Sequence, residues 1–372
     1  VPDSRGLTVN VHYSVSLLPQ TGYQPRLADD RVGYFVTAVK DFSRKYDTDR
    51  FVRHINRWDL RKADPALGLS PPKRPIVFWL EKTIPYAYRK PIGEGILEWN
   101  KAFEKAGFAN AIEVRQQPDD AEWDPEDINY NTFRWITAGA GLAMGPSRVN
   151  PITGEILDAD VLFDADFLSF WKDEYDILGP RAAGPTRDAA GLDSLLFPER
   201  LPAWGVPGHD GRCSCHLAEG MGVQLALGAL AAQADPKAVS REEFERLVMQ
   251  AVKSIAVHEV GHTLGLRHNF RASSCYSLDQ INDPARAKDA GLAASIMDYL
   301  PVNFMPKGRK QGDYFMTALG PYDYWAIEYG YKPLGGGTEG EAGDLKKIAS
   351  RSGEPPLAYA PDEDCRPNDP DP

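Results

Sequence analysis

Cysteine, methionine and histidine are all scarce in this chain of 372 residues, with four, six and seven copies. Positive charge is also short. Lys and Arg number 42 against 53 Asp and Glu, the formal net charge is -11, and no basic run interrupts the chain. That balance argues against a nucleic-acid partner, which needs clustered cations to hold phosphates. Long apolar runs are missing too. The longest, residues 220–232, falls short of the roughly 20 residues that span a bilayer, so it reads as a core helix and no membrane span is expected. The opening Val-Pro-Asp-Ser-Arg shows no charged-then-apolar leader; either there is none or the chain starts after it. There is no Asn-x-Ser/Thr acceptor for glycosylation.

The four cysteines, Cys213, Cys215, Cys275 and Cys365, form an even but sparse set. A bridge between Cys213 and Cys215 would be strained, so one reading pairs them separately with Cys275 and Cys365. Free buried thiols are a second reading, and a metal site using Cys213, Cys215 and His216 a third. Disulfides would imply an oxidising compartment, that is, a secreted, periplasmic or cell-envelope protein.

What is present describes an ordinary globular protein. Apolar residues make up 42% and aromatics 10%, and the length suffices for one large domain or two modest ones, each with a real core. The histidines concentrate in one place: His258-Glu-Val-Gly-His-Thr-Leu-Gly-Leu-Arg-His268. On a helix, His258 and His262 lie one turn apart on the same face, where both rings reach a single ion. Glu259 lies beside them as a base for the ion's water. Gly265 lets the backbone leave the helix at positive φ and turn back, so that His268 supplies a third nitrogen. The fourth coordination position stays open, as a catalytic zinc requires. The shorter HExxH pattern arises by chance in unrelated helices, but Gly265 and His268 at their offsets make coincidence a poor explanation.

The rest of the chain is organised around that run. Residues 7–19 alternate apolar and polar and predict a strand. Residues 1–72 hold too few apolar side chains for a core of their own, and read as an extension packed on the main domain. From residue 73 the pattern sharpens: a strand at 75–80, a helix carrying Ile92, Ile96, Trp99, Phe103 and Ala106 and stopped by Gly107, then strands at 111–115, 132–137, 142–149 and 155–163. Such an order predicts a mixed sheet with a helix on its back, and an exposed edge at 142–149 that could accept a peptide as an added strand. Asp158, Asp160, Asp164 and Asp166 crowd the end of the last strand; they either hold a calcium ion or alternate toward solvent. Residues 167–238 form a long insertion with Gly/Pro-rich loops. Ser240-Arg-Glu-Glu243 then looks like a capping box opening the histidine helix, whose stripe Phe244, Leu247, Val248, Ala251 and Ile255 faces inward in line with His258 and His262. Residues 331–372 read as a strap or tail.

Two separated motifs, the HExxHxxGxxH run and Ser295-Ile-Met-Asp-Tyr299, together resemble the metzincin zinc metallopeptidases, most closely a group of bacterial zinc-dependent metalloproteases known simply as Met-zincins. The resemblance covers most of residues 73–330. It implies an α+β fold, with a mixed twisted sheet, backing helix and zinc-binding helix in an upper subdomain, and a mostly helical or irregular lower subdomain after the Gly turn. It implies that Met297 is the Met-turn methionine beneath the ligands. Tyr299 matches the tyrosine that some members place near the metal, where it would ligate zinc in the resting enzyme or stabilise the oxyanion; packing under the site is the alternative. Asn269, directly after the third histidine, matches none of the better-known subfamilies, which leaves subsite preference open. The expected activity is hydrolysis of internal bonds in a peptide or protein substrate, with one zinc held by His258, His262 and His268. A non-catalytic zinc-containing scaffold is the rival, and hydrolysis of a non-peptide amide or ester a third reading. Substrate identity and oligomeric state lie beyond the sequence.

Overall fold

The computed structural model describes residues 11, 13, 15–42, 50–137, 143–166, 168, 241–305 and 311–365. The first described strands are β1 (Val36–Lys40) and β2 (Phe51–Ile55), paired antiparallel. Next come β3 (Ile76–Leu80), α1 (Tyr86–Glu98), α2 (Asn100–Ala106), β4 (Ile112–Gln116) and β5 (Asn131–Ile136). Four short strands follow: β6 (Ala143–Met144), β7 (Ser147–Val149), β8 (Ile156–Ala159) and β9 (Val161–Asp164). The C-terminal part is helical, with the long α3 (Arg241–Thr263), the short α4 (Leu278–Ile281) and α5 (Pro284–Ala290), then α6 (Pro321–Tyr331), α7 (Gly337–Gly340) and α8 (Ala342–Ala349). None of the described helices is long and apolar enough to cross a membrane.

The five-stranded sheet runs β4-β3-β5-β9-β6, parallel except for the antiparallel edge strand β6. In β3, Ile76, Phe78 and Leu80 are buried while Val77 and Trp79 are half-buried, the burial on both faces expected of a parallel strand under helices. α1 packs against β3 and β4, and α3 lies along α1 and reaches β6 and β9. The two helices approach closely at Gly95, where a Cβ would press on Ala256 and the Lys253 carbonyl. Trp99 locks the contact by donating its indole N–H to the Val257 carbonyl at 2.9 Å. Gly107 ends α2 at φ +102°, as its placement in the sequence predicts.

The N-terminal segment is stitched into this body. Tyr34 bridges antiparallel to Leu266, and its hydroxyl donates to the Ala326 carbonyl at 2.8 Å. The Arg26 guanidinium is buried against Glu341 at 2.7 Å and donates to the carbonyls of Tyr329 and Lys332. These contacts join residues 26–34 to both the histidine loop and the C-terminal helices.

Three sequence expectations change. Residues 11, 13 and 15–19 form no strand, and Val15 and Leu17 are 91% and 94% exposed; alternation alone is not enough when no described strand pairs with it. The strands expected at 142–149 and 155–163 are each divided. Between β6 and β7 the chain passes Gly145, where a Cβ would strike the Glu259 carbonyl, and Pro146, which has no N–H for a ladder. β7 and β8 therefore leave the main sheet and pair with each other. Finally, Asp158, Asp160 and Asp164 neither face solvent nor gather as a cation site. Asp158 pairs with Arg148, and Asp160 accepts from the Thr132 amide and hydroxyl at 2.9 and 2.7 Å. Burial first, then the Asp160 charge, pushes the Asp158 carboxyl up to about 7, with Arg148 working in the opposite direction. Among the described residues nothing supports the calcium site expected there.

The apolar helix expected at 217–232, Ser240 of the expected capping box, Cys213, Cys215 and His216 lie outside the described residues. Cys275 is a free thiol, so the disulfide expected at that position is not formed. Glu243 accepts from Arg246 at 2.9 Å and from the Tyr314 hydroxyl at 2.9 Å.

Candidate metal centre

α3 owes its position to its buried stripe. Phe244, Leu247, Val248, Ala251 and Ile255 are all in the core, and His258 and His262 continue the same face at 0% and 5% exposure. The helix ends in a paired hydrogen-bond turn: the Leu266 amide donates to the Gly261 carbonyl at 3.1 Å and the Gly265 amide to that of His262 at 2.9 Å, with Gly265 at φ +94°. This is the Schellman arrangement, which needs a left-handed residue at that position. A side chain there would also run into the Asn56 carbonyl of the N-terminal segment. The reversed chain brings His268 back under the helix, 1% exposed.

Ligand atoms of the three imidazoles lie within 4.8 Å of one another, and among the described residues this is the one such set of His, Cys, Asp or Glu. Each ring is tied at Nδ1. His258 Nδ1 lies 2.8 Å from the Ile296 carbonyl, His262 Nδ1 2.9 Å from that of Leu266, and His268 Nδ1 2.6 Å from Asp362 Oδ1. Carbonyl and carboxylate oxygens only accept, so each Nδ1 is the protonated donor, and in the neutral form of each ring Nε2 keeps its lone pair. Burial, followed by the neighbouring His262 and His268, holds the His258 imidazole well below its usual range. Burial, followed by His268, brings His262 down to about 3. These two rings are thus neutral at pH 7, the form that binds metal. His262 Nε2 and His268 Nε2 face each other at 3.0 Å. Two lone pairs that close repel unless a cation lies between them, so the donor set fits a metal ion.

The floor of the centre comes from residues 295–299. Met297 is fully buried and its sulfur lies against Gly261, where even a Cβ would collide with it and with Trp99. The glycine between the two helical histidines is therefore the notch that admits Met297. Asp323, buried at the start of α6, holds this turn by accepting from Ser295 Oγ at 2.6 Å, the Ile296 amide at 2.9 Å and the Gly320 amide at 2.8 Å. Burial raises the Asp323 carboxyl to about 7 against the pull of those three donors.

Residues 240–372 match the family described as Met-zincin. This segment is of the metzincin type. Residues 2–63 match a second family, described as Domain of unknown function (DUF5117). No curated protein and no solved structure matches the chain. The Met-zincin match continues through residues 331–372, beyond the stretch in which the sequence shows the resemblance.

His258, His262, His268, Met297 and Tyr299 come together. Glu259 is fully buried between the two helical histidines. The Tyr299 ring packs edge-on against His268 at 4.7 Å and lies 5.8 Å from His258, between centroids. Three participants had no signal in the sequence. Phe35, from the N-terminal segment, sets its ring 5.9 Å from that of His262. Asp323 holds the methionine turn. Asp362 receives the hydrogen bond of His268 across 94 positions; burial works to raise its carboxyl, and the His268 hydrogen bond with the Arg267 charge overcomes this and leaves it lowered. No spacing rule links a tail residue to a ligand so far upstream.

Proposed function

We propose that the protein is a zinc-dependent endopeptidase that hydrolyses internal peptide bonds. The observation that carries this reading is the convergence of three Nε2 lone pairs, each fixed through its Nδ1, with the Glu259 side chain on the helical turn between two of them. A zinc ion bound there supplies Lewis acidity and a water acidified to near neutrality. His258, His262 and His268 would hold it. Glu259 takes the proton from the attacking water and returns it to the leaving amine, so that no charged amide nitrogen has to be expelled. Tyr299, beside His258 and His268, donates its hydroxyl to the developing oxyanion. An extended peptide adds to the β6 edge of the sheet, which lies on the Glu259 turn of α3 through Gly145.

The test pairs native protein with Glu259→Ala on an unfolded-protein substrate, with and without a chelator, while zinc content is measured. Native activity that a chelator abolishes, and that falls about 10²–10⁴-fold in the variant without loss of zinc, is the expected result. If both proteins bind zinc equally and both are inert, the centre is a non-catalytic zinc scaffold instead.

A further inference from the structure

The chain beyond α8 folds back over the metal centre. Asn269, which directly follows the third imidazole, is fully buried and uses both ends of its amide: Oδ1 accepts from the Ala360 amide at 3.1 Å and Nδ2 donates to the Ala358 carbonyl at 3.0 Å. The Phe270 amide adds a third bond, to the Ala360 carbonyl at 3.0 Å. Tyr359, between those two points, stacks on Tyr322 with centroids 5.9 Å apart. The clamp sets the next turn so that Asp362 meets His268 Nδ1 at 2.6 Å, while Arg267 reaches Asp362 at 3.4 Å and Glu363 at 2.5 Å.

We infer that the strap of residues 358–363 is a working part of the metal centre, with Asp362 the positioning residue for His268 and Asn269 the clamp that delivers it. The inference rests on the reading of the three imidazoles as zinc ligands. His258 and His262 rest on main-chain carbonyls, which exist whatever the side chains are. His268 depends on a side chain. A carboxylate on Nδ1 fixes the tautomer, aims the Nε2 lone pair and makes it a stronger donor to a cation. The arrangement also accounts for the residue type at 269. Asp would lose the donor to Ala358 and a hydrophobic residue would lose both bonds, whereas Asn satisfies two part-buried main-chain groups at once.

Zinc affinity measured by competition with a chromophoric chelator tests this, with circular dichroism to establish folding. Asp362→Ala is expected to bind zinc about 10–100-fold more weakly than native protein. Asp362→Asn, whose amide oxygen still accepts from Nδ1 but carries no charge, falls between the two and carries the comparison if the alanine variant does not fold. Asn269→Ala weakens binding to a similar extent, and the double variant Asn269→Ala/Asp362→Ala is no weaker than the worse single one, because both remove the same interaction. In the cobalt-substituted protein, the visible absorption bands shift in Asp362→Ala, which reports a changed ligand at the metal. Native affinity and an unshifted spectrum in Asp362→Ala overturn the proposal, and additive losses in the double variant overturn the part played by Asn269. If native protein binds no zinc, or His258→Ala binds it as well as native, the ligand reading itself fails. Zinc bound by native protein, lost in His258→Ala and unaffected in Asp362→Ala sinks the strap alone.

Discussion

His258 and His262 rise from one rigid helix and rest on main-chain carbonyls, whereas His268 stands on a loop and rests on a carboxylate 94 residues further along. On the helical side, spacing along the sequence is already geometry. On the loop side, Gly265 only turns the chain; the N-terminal segment, the methionine turn and the strap decide where the third ring points. A site built this way is stiff where the local sequence is continuous, and conditional where it depends on distant contacts.

The largest expected effect on stability lies on the conditional side. Asp323→Ala leaves one hydroxyl and two buried amides without their acceptor, and at about 1–3 kcal/mol for each unsatisfied group it destabilises the fold by several kcal/mol. Urea unfolding of the metal-free protein measures this, and a loss below about 1 kcal/mol would mean the turn holds without its carboxylate. Gly265→Ala follows. Positive φ and the collision with Asn56 together cost more than the roughly 1 kcal/mol of a strained turn alone, seen as a lower urea midpoint. An unchanged midpoint would show that the N-terminal segment can move away, and the comparison between the two sides would then weaken.

A third effect concerns pH. His262 has a folded-state value of about 3 against its usual 6.5. A depressed folded value contributes stability that is present above pH 6.5 and lost as pH falls toward 3. Metal-free native protein should therefore lose stability more steeply between pH 6.5 and 4 than metal-free His262→Gln. Equal slopes would show that the ring is not held neutral by burial.

Legibility in the sequence followed locality. The helix 241–263, its apolar stripe, its Gly265 stop and the three imidazoles were readable because helical geometry maps spacing directly onto a face. The strand at 76–80 was readable because its apolar content is continuous, and those at 112–116 and 131–136 were placed to within one residue although charged and polar side chains interrupt them. The break at Gly145 and Pro146 was not anticipated, since it reflects where β6 touches α3. The strand expected at 7–19 is not formed at its described residues 11, 13 and 15–19, because a strand is defined by its partner. The aspartates near β9 looked like a cation site or a solvated end because composition does not reveal Arg148 and Thr132 as their partners.

By itself, then, the sequence determined the histidine-bearing helix, the turn after it and the methionine motif, which are written in short fixed intervals. Only the tertiary structure decided that Asp362 supports His268, that Asn269 holds the strap, that Phe35 lies against His262 and that Asp323 anchors the methionine turn. These contacts close loops of tens to hundreds of residues, and a hydrogen bond across such a loop leaves no periodic trace in the chain that makes it.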